Sequence, residues 1–118
     1  MPIKSITPIL NVSDIHASIA WFEKLGWQKG FEWGDPPSFG GVCSGDFSIF
    51  LCLDGQGGRD KDGSWMSIWV DDVDTIHRHC VDQGIEVTMP PTDEPWGVRE
   101  MHVRHPDGHV LRIGQIEE

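Results

Sequence analysis

The chain carries the same short pattern twice. Val12, Asp14, Ile15 and Gly26 recur as Val70, Asp72, Val73 and Gly84 at one constant offset of 58 residues. Four matches held in register point to an internal duplication, and a duplication restricts the choice of folds severely. Each half must contain the same supersecondary unit, and the two must together make a domain. The length of 118 residues suits one domain that buries roughly two-thirds of its chain surface on folding.

The unit reads as strand, helix, then three strands. In the first half the β-branched run Ile6 to Val12 predicts a strand, and Ser13 or Asp14 caps a helix. Ile15, Ile19, Phe22 and Leu25 follow the spacing of three and four that marks one buried helix face, and Gly26 ends it. Phe31 to Trp33 predicts a short strand broken by Asp35-Pro36-Pro37, followed by strands over Phe39 to Cys43 and Phe47 to Leu53. The second half predicts a strand over Trp65 to Val70 and a helix capped by Asp71 or Asp72, carrying Val73, Ile76, Cys80 and Val81 and ending at Gly84. Strands over Glu86 to Thr88, Val98 to Arg104 and His109 to Gln115 complete it. The modules span about 4–54 and 65–116, and the glycine-rich stretch from about 55 to 64 reads as a linker.

Alternation along strands assigns faces. Leu10, Val12, Ile49, Leu51, Leu53, Met66, Ile68, Val70, Met101, Val103, Leu111 and Ile113 should face the helices. The opposite face then carries Phe50 and Cys52, Trp65 and Trp69, Glu100, His102, Arg104 and Arg112. A mixture of aromatic, polar and charged groups suits a half-wet ligand groove better than a dry core. Six tryptophans and no tyrosine strengthen that reading. Trp21 and Trp27 flank the first helix and should pack in the core, whereas Trp33, Trp65, Trp69 and Trp96 fall on strands or loops.

Composition excludes several classes of function. Nineteen acidic against nine basic residues give a net charge of −10, a field that repels nucleic-acid phosphates and anionic lipid and attracts cations. Cys43, Cys52 and Cys80 lack CxxC spacing, which leaves reduced thiols and a cytoplasmic location as the expectation. No apolar run is long enough for a membrane span or a signal peptide. No GxSxG, P-loop or dinucleotide fingerprint is present.

Several motifs sit in order along the duplicated frame. They are Asn11-Val12-Ser13-Asp14 leading to Trp21-Phe22-Glu23-Lys24-Leu25-Gly26, then Val70-Asp71-Asp72-Val73-Asp74, and finally His105-Pro106-Asp107-Gly108-His109. Together they resemble the vicinal-oxygen-chelate superfamily of glyoxalases, extradiol dioxygenases and bleomycin-resistance proteins. Pro95-Trp96-Gly97-Val98-Arg99-Glu100 is most similar to the bleomycin-resistance branch. The resemblance implies an α+β fold of two tandem βαβββ modules, with curved mixed sheets around a cavity and helices on the outer face. It also implies a homodimer with ligand grooves between subunits.

Enzymes of that superfamily hold a divalent metal with four cavity-facing side chains, usually His and Glu. The resemblance places those positions at Thr7, Phe50, Trp65 and Arg112. Phenylalanine and tryptophan offer a cation no lone pair, and arginine stays protonated. His102 with Glu100 forms a conceivable half-site on one strand, although a mutual hydrogen bond, or one to Arg104, is the simpler expectation. His77 and His79 point to different sides of a helix, His16 is expected to be solvated, and His105 and His109 flank a turn in a structural role.

The expectation is therefore a protein without metal, cofactor or catalytic residues that sequesters a bleomycin-like antibiotic or another small aromatic molecule. Candidate ligand contacts are Trp33, Asp35, Phe39, Phe50, Trp65, Trp69, Trp96, Glu100, His102 and Arg112. Asp35 and Glu100 could meet a cationic tail, while Arg104 and Arg112 could meet an anionic group. The alternative is a divergent metal-dependent glyoxalase-like lyase or dioxygenase. A metal-free enzyme with His102 or Glu100 as general base is the third reading.

Overall fold

A computed structural model of the chain describes residues 2–53 and 63–116. It has two compact units, Met1–Lys61 and Asp62–Glu118. Of the stretch read as a linker, residues 55–62 lie outside the described residues.

The first unit contains β1 (Ile9–Val12), α1 (Ile15–Leu25), β2 (Gln28–Trp33), β3 (Phe39–Ser44) and β4 (Phe47–Leu53), with sheet order β1-β4-β3-β2. β1 and β4 are parallel and the other pairs antiparallel, so the sheet is mixed. Asp14 caps α1 by accepting the Ala17 N–H at 3.0 Å, and Gly26 closes it in the left-handed region at φ 105°. Ile15, Ile19, Trp21, Phe22 and Leu25 of the helix are buried, as are Leu10, Val12, Val42, Ile49 and Leu51 of the sheet. Trp21 and Trp27 both stack edge-on against Phe22, at 5.0 and 5.7 Å.

The second unit contains β5 (Trp65–Trp69), α2 (Val73–Asp82), β6 (Val87–Glu94), β7 (Val98–Arg104) and β8 (Val110–Ile116), in sheet order β5-β8-β7-β6. The parallel pair is again the first strand with the last. Asp72 caps α2 by accepting from the Thr75 N–H and Oγ1. The Gln115 side chain accepts the Val73 N–H at 2.6 Å, and Arg99 on β7 forks onto Asp74 at 2.9 and 3.0 Å. Val73 and Cys80 of α2 are buried, as are Met101, Val103, Leu111 and Ile113 of the sheet. Burial pushes the Cys80 thiol up from its ordinary value. Val81 of the same helix is exposed.

Three strand assignments need correction. β1 starts at Ile9 rather than Ile6, because Pro8 has no N–H to give the sheet, although its carbonyl accepts from Phe50 at 2.9 Å. Thr7 is therefore exposed and outside the strand. β2 begins at Gln28, three residues before the predicted start, with its pairing shifted between Lys29 and Phe31. β6 runs from Val87 to Glu94, straight through Pro90-Pro91. It is an edge strand, and its register breaks between Met89 and Thr92, so the prolines take no N–H from the ladder.

At the head of the second unit Ser64 is fastened to the β7–β8 turn. Its N–H donates to His109 Nδ1 at 3.0 Å, and its carbonyl accepts from the Val110 N–H at 2.8 Å. Gly63 packs so closely on Gly108 that a Cβ there would collide with the Gly108 carbonyl. His105 and His109 are both buried, 5.4 Å apart. Burial, aided by His109, pulls His105 down to about 4. These two histidines are thus structural parts of the turn.

Candidate functional site

Each helix covers one face of its own sheet, and the opposite faces hold the candidate residues. In the first unit, a Cβ on Gly40 would touch Ile15 and Ile19 of α1, so Gly41 points to the opposite side. There Phe31, Phe39 and Phe50 pack ring to ring at 5.3 to 5.8 Å. Glycine is required beneath them, since a Cβ on Gly41 would sit 2.6 Å from Phe31 Cε1 and 3.1 Å from Phe50 Cδ1. An open hollow of about 450 Å³ beside these rings is lined by Phe31, Glu32, Trp33, Ser38 and Phe39. The Trp33 indole is 69% exposed. Asp35 lies in the exposed turn between β2 and β3.

The second unit carries a charged network in the same place. Glu100 is only 2% exposed, yet its carboxylate is fully engaged. Arg112 donates through Nε to Oε2 at 2.6 Å and through Nη2 to Oε1 at 2.7 Å, and His102 Nε2 approaches Oε2 at 2.8 Å. The Arg112 guanidinium, with help from His102, holds Glu100 at about 2 despite the cost of burial. The Trp65 ring stands edge-on to His102 at 5.3 Å. Trp69 lies over Gly114, where a Cβ would be 3.4 Å from its ring and 3.6 Å from Glu100 Cβ. The two indoles are 67% and 60% exposed and flank the network.

Strand register makes the two faces directly comparable. Ile9 pairs with Phe50 as Ser67 pairs with Arg112, and Ile9 and Ser67 are related by the repeat offset. Gly41 opposes Phe50 as His102 opposes Arg112, and Phe39 opposes Cys52 as Glu100 opposes Gly114. Phe39, Gly41 and Phe50 of the first unit therefore occupy the positions of Glu100, His102 and Arg112 in the second.

Of the candidate ligand contacts, Trp65, Glu100, His102 and Arg112 come together, and Phe39 and Phe50 come together with Phe31. Phe31 was not singled out from sequence, although its parity with Trp33 on one strand was the available signal. Trp96 stays in the exposed β6–β7 turn, and Arg104 reaches Glu86 at the surface, 3.9 Å away. Glu100 is not free to meet a cationic tail, because Arg112 and His102 occupy both oxygens. His16 is exposed but pairs with Glu32 at 2.9 Å rather than with solvent alone.

The four positions that would carry metal ligands do not fit a divalent cation. Thr7 is off the strand, Phe50 belongs to the phenyl cluster, Trp65 faces His102 and Arg112 is bound to Glu100. Only the threonine among them has a lone pair to donate. Among the described residues no three His, Cys, Asp or Glu groups converge on a point where a metal could be held.

Two mixed four-stranded sheets, each built from a βαβββ unit, define an α+β protein of the glyoxalase fold. Residues 3–113 match the family model of the Glyoxalase/Bleomycin resistance protein/Dioxygenase superfamily, and the chain belongs to that family. Among solved structures it is similar to TioX from Micromonospora sp. ML1, with 18% identity over 96% of this chain and 98% of that one, at a TM-score of 0.85. It is also similar to the bleomycin resistance determinant encoded on the transposon Tn5, with 24% identity, 98% and 100% coverage and a TM-score of 0.80. A superfamily member from Sphaerobacter thermophilus shares 25% identity over 96% and 98% of the two chains, at a TM-score of 0.81. Comparison with curated proteins by sequence returns no match.

Proposed function

We propose that this chain is a metal-independent small-molecule-binding protein of the superfamily, acting by sequestration in the cytoplasm. Its ligand is a small aromatic molecule of the bleomycin-like kind, lying in a groove of a homodimer and stacked on exposed indoles. One observation carries this reading: the positions that would hold a metal are filled by Phe50, Trp65 and Arg112, side chains that stack, pack or pair but do not ligate. The similarity to a bleomycin resistance determinant supports the same direction. The exposure of Trp33, Trp65 and Trp69 supplies rings able to stack on a planar ligand, each contact worth about 1 kcal/mol beyond burial.

A thermal-shift screen of antibiotics and aromatic metabolites, run with and without chelator, tests the proposal. A ligand at 100 times its dissociation constant should stabilise the fold by about 2.7 kcal/mol, equally in both conditions. Trp65→Ala and Trp69→Ala should each weaken that ligand while leaving the circular dichroism spectrum unchanged. Unaltered affinity in both variants would refute the assignment of the face. Stoichiometric Ni, Zn, Fe or Mn in protein purified without chelator would instead favour a lyase or dioxygenase.

A further inference from the structure

We infer that the face of the second unit recognises a hydrogen-bond-accepting group on its ligand, a carbonyl or carboxylate, through Arg112, and disfavours an ammonium there. The inference rests on the reading of this face as a binding surface and adds the chemistry of what it binds. Glu100 is the acidic member of the network, and it is turned inward. Its Oε1 takes Arg112 Nη2, and its Oε2 takes both Arg112 Nε and His102 Nε2. With 3% of its side chain exposed and bonds on both oxygens, Glu100 is out of reach of a ligand cation unless Arg112 or His102 is displaced.

Arg112 presents the opposite character. Its guanidinium carries five N–H donors in a planar fork, and the Nε/Nη2 edge spends two of them on Glu100. The Nη1 group takes no part in those bonds. The side chain is partly exposed rather than sealed, between the Trp65–His102 pair on one side and Trp69 on the other. What the network shows a ligand is therefore a set of donors already fixed in direction. Fixing them beforehand removes much of the ordering cost of a bidentate contact. The chain's net charge of −10 and the indole faces favour a cation, but that general field is screened over about 8 Å at physiological salt. Direct contact with the guanidinium decides which end of a ligand settles there.

Three probes sharing one ring system separate the possibilities: 1-naphthaleneacetate, 1-naphthaleneacetamide and 2-(1-naphthyl)ethylammonium, titrated at neutral pH by ligand-observed NMR. The carboxylate and the amide should bind about tenfold more tightly than the ammonium, the scale of one charge-assisted hydrogen bond. The triple variant Glu100→Phe/His102→Gly/Arg112→Phe places the first unit's residues at the same register positions and should abolish that preference while still binding the ring. The paired variant Glu100→Gln/Arg112→Met removes both charges with less change of shape and should do the same if the triple variant does not fold. An ammonium bound as tightly as the other two, or a preference unchanged in the charge-free variants, overturns the inference and leaves the aromatic-binding reading standing. Absence of binding by all three probes at millimolar concentration overturns both.

Discussion

The two halves of this chain solve one packing problem with opposite chemistry. At equivalent register positions the first half places Phe39, Gly41 and Phe50, and the second places Glu100, His102 and Arg112. The phenyl rings hold one another at 5.3 to 5.8 Å and ask nothing of solvent. The charged trio holds together because both oxygens of the buried carboxylate are bonded. Dispersion tolerates small losses gradually, whereas a buried ion pair fails when one member goes. One frame thus carries an apolar face in the first half and a charged face in the second.

The largest expected effect comes from breaking the charged face asymmetrically. Arg112→Leu takes the main partner from the inward-turned Glu100 and should lower the denaturation midpoint more than any other single change here, most of it recovered by adding Glu100→Gln. The mirror change Phe50→Leu in the first half should cost only about 1 kcal/mol. If the two single changes cost the same, the contrast between the halves is wrong.

Acid supplies the next effect. Unfolded histidine takes a proton near 6.5, but His105 in the fold resists until about 4. Its contribution is fully present above pH 6.5 and is lost as pH falls through 4, on the order of 3 kcal/mol when complete. Glu100 follows at lower pH, its contribution being present above its ordinary 4.5 and lost toward about 2. Thermal melts between pH 7 and 4 should show a falling midpoint, and His105→Gln should flatten the slope in that window.

Smaller effects sharpen the comparison. Gly41→Ala drives a methyl into Phe31 and Phe50 and should cost about 1–3 kcal/mol. Gly114→Ala meets Val98 and Trp69 at 3.3 to 3.4 Å and should cost less, under about 1 kcal/mol. The triple exchange Glu100→Phe/His102→Gly/Arg112→Phe should leave stability within about 2 kcal/mol of the parent by chemical denaturation. A matched ion pair and its apolar replacement are often close in stability.

Much of this arrangement is legible in the residues themselves. The repeat offset located both helices, and Asp14, Asp72 and Gly26 end them where capping chemistry requires. Alternation sorted Leu10, Ile49, Leu51, Met101 and Leu111 onto the helix side, where all five are buried. Strand ends were harder, because they depend on neighbours: Pro8 trims β1, while Pro90 and Pro91 persist in β6 only because that strand is an edge. Part of the candidate cluster was legible as residues sharing a face, but its bonding was not. Glu100, His102 and Arg112 were visible as same-face residues, but the pairing of His102 with Arg112 across β7 and β8 depends on strand register. That pairing changes Glu100 from a free anion into an anchor.

The fastening of Ser64 to His109 has a mechanical meaning. The second unit is gripped at its threshold, where Gly63 meets Gly108 backbone to backbone and the Ser64 N–H reaches the His109 ring. A pull along the chain from the first unit would be delivered to the β7–β8 turn before it reached β5. His105, whose ring lies 5.4 Å from that of His109, is held neutral there by burial until about 4. Acid that charges His105 therefore loads the same turn that holds the start of the leading strand.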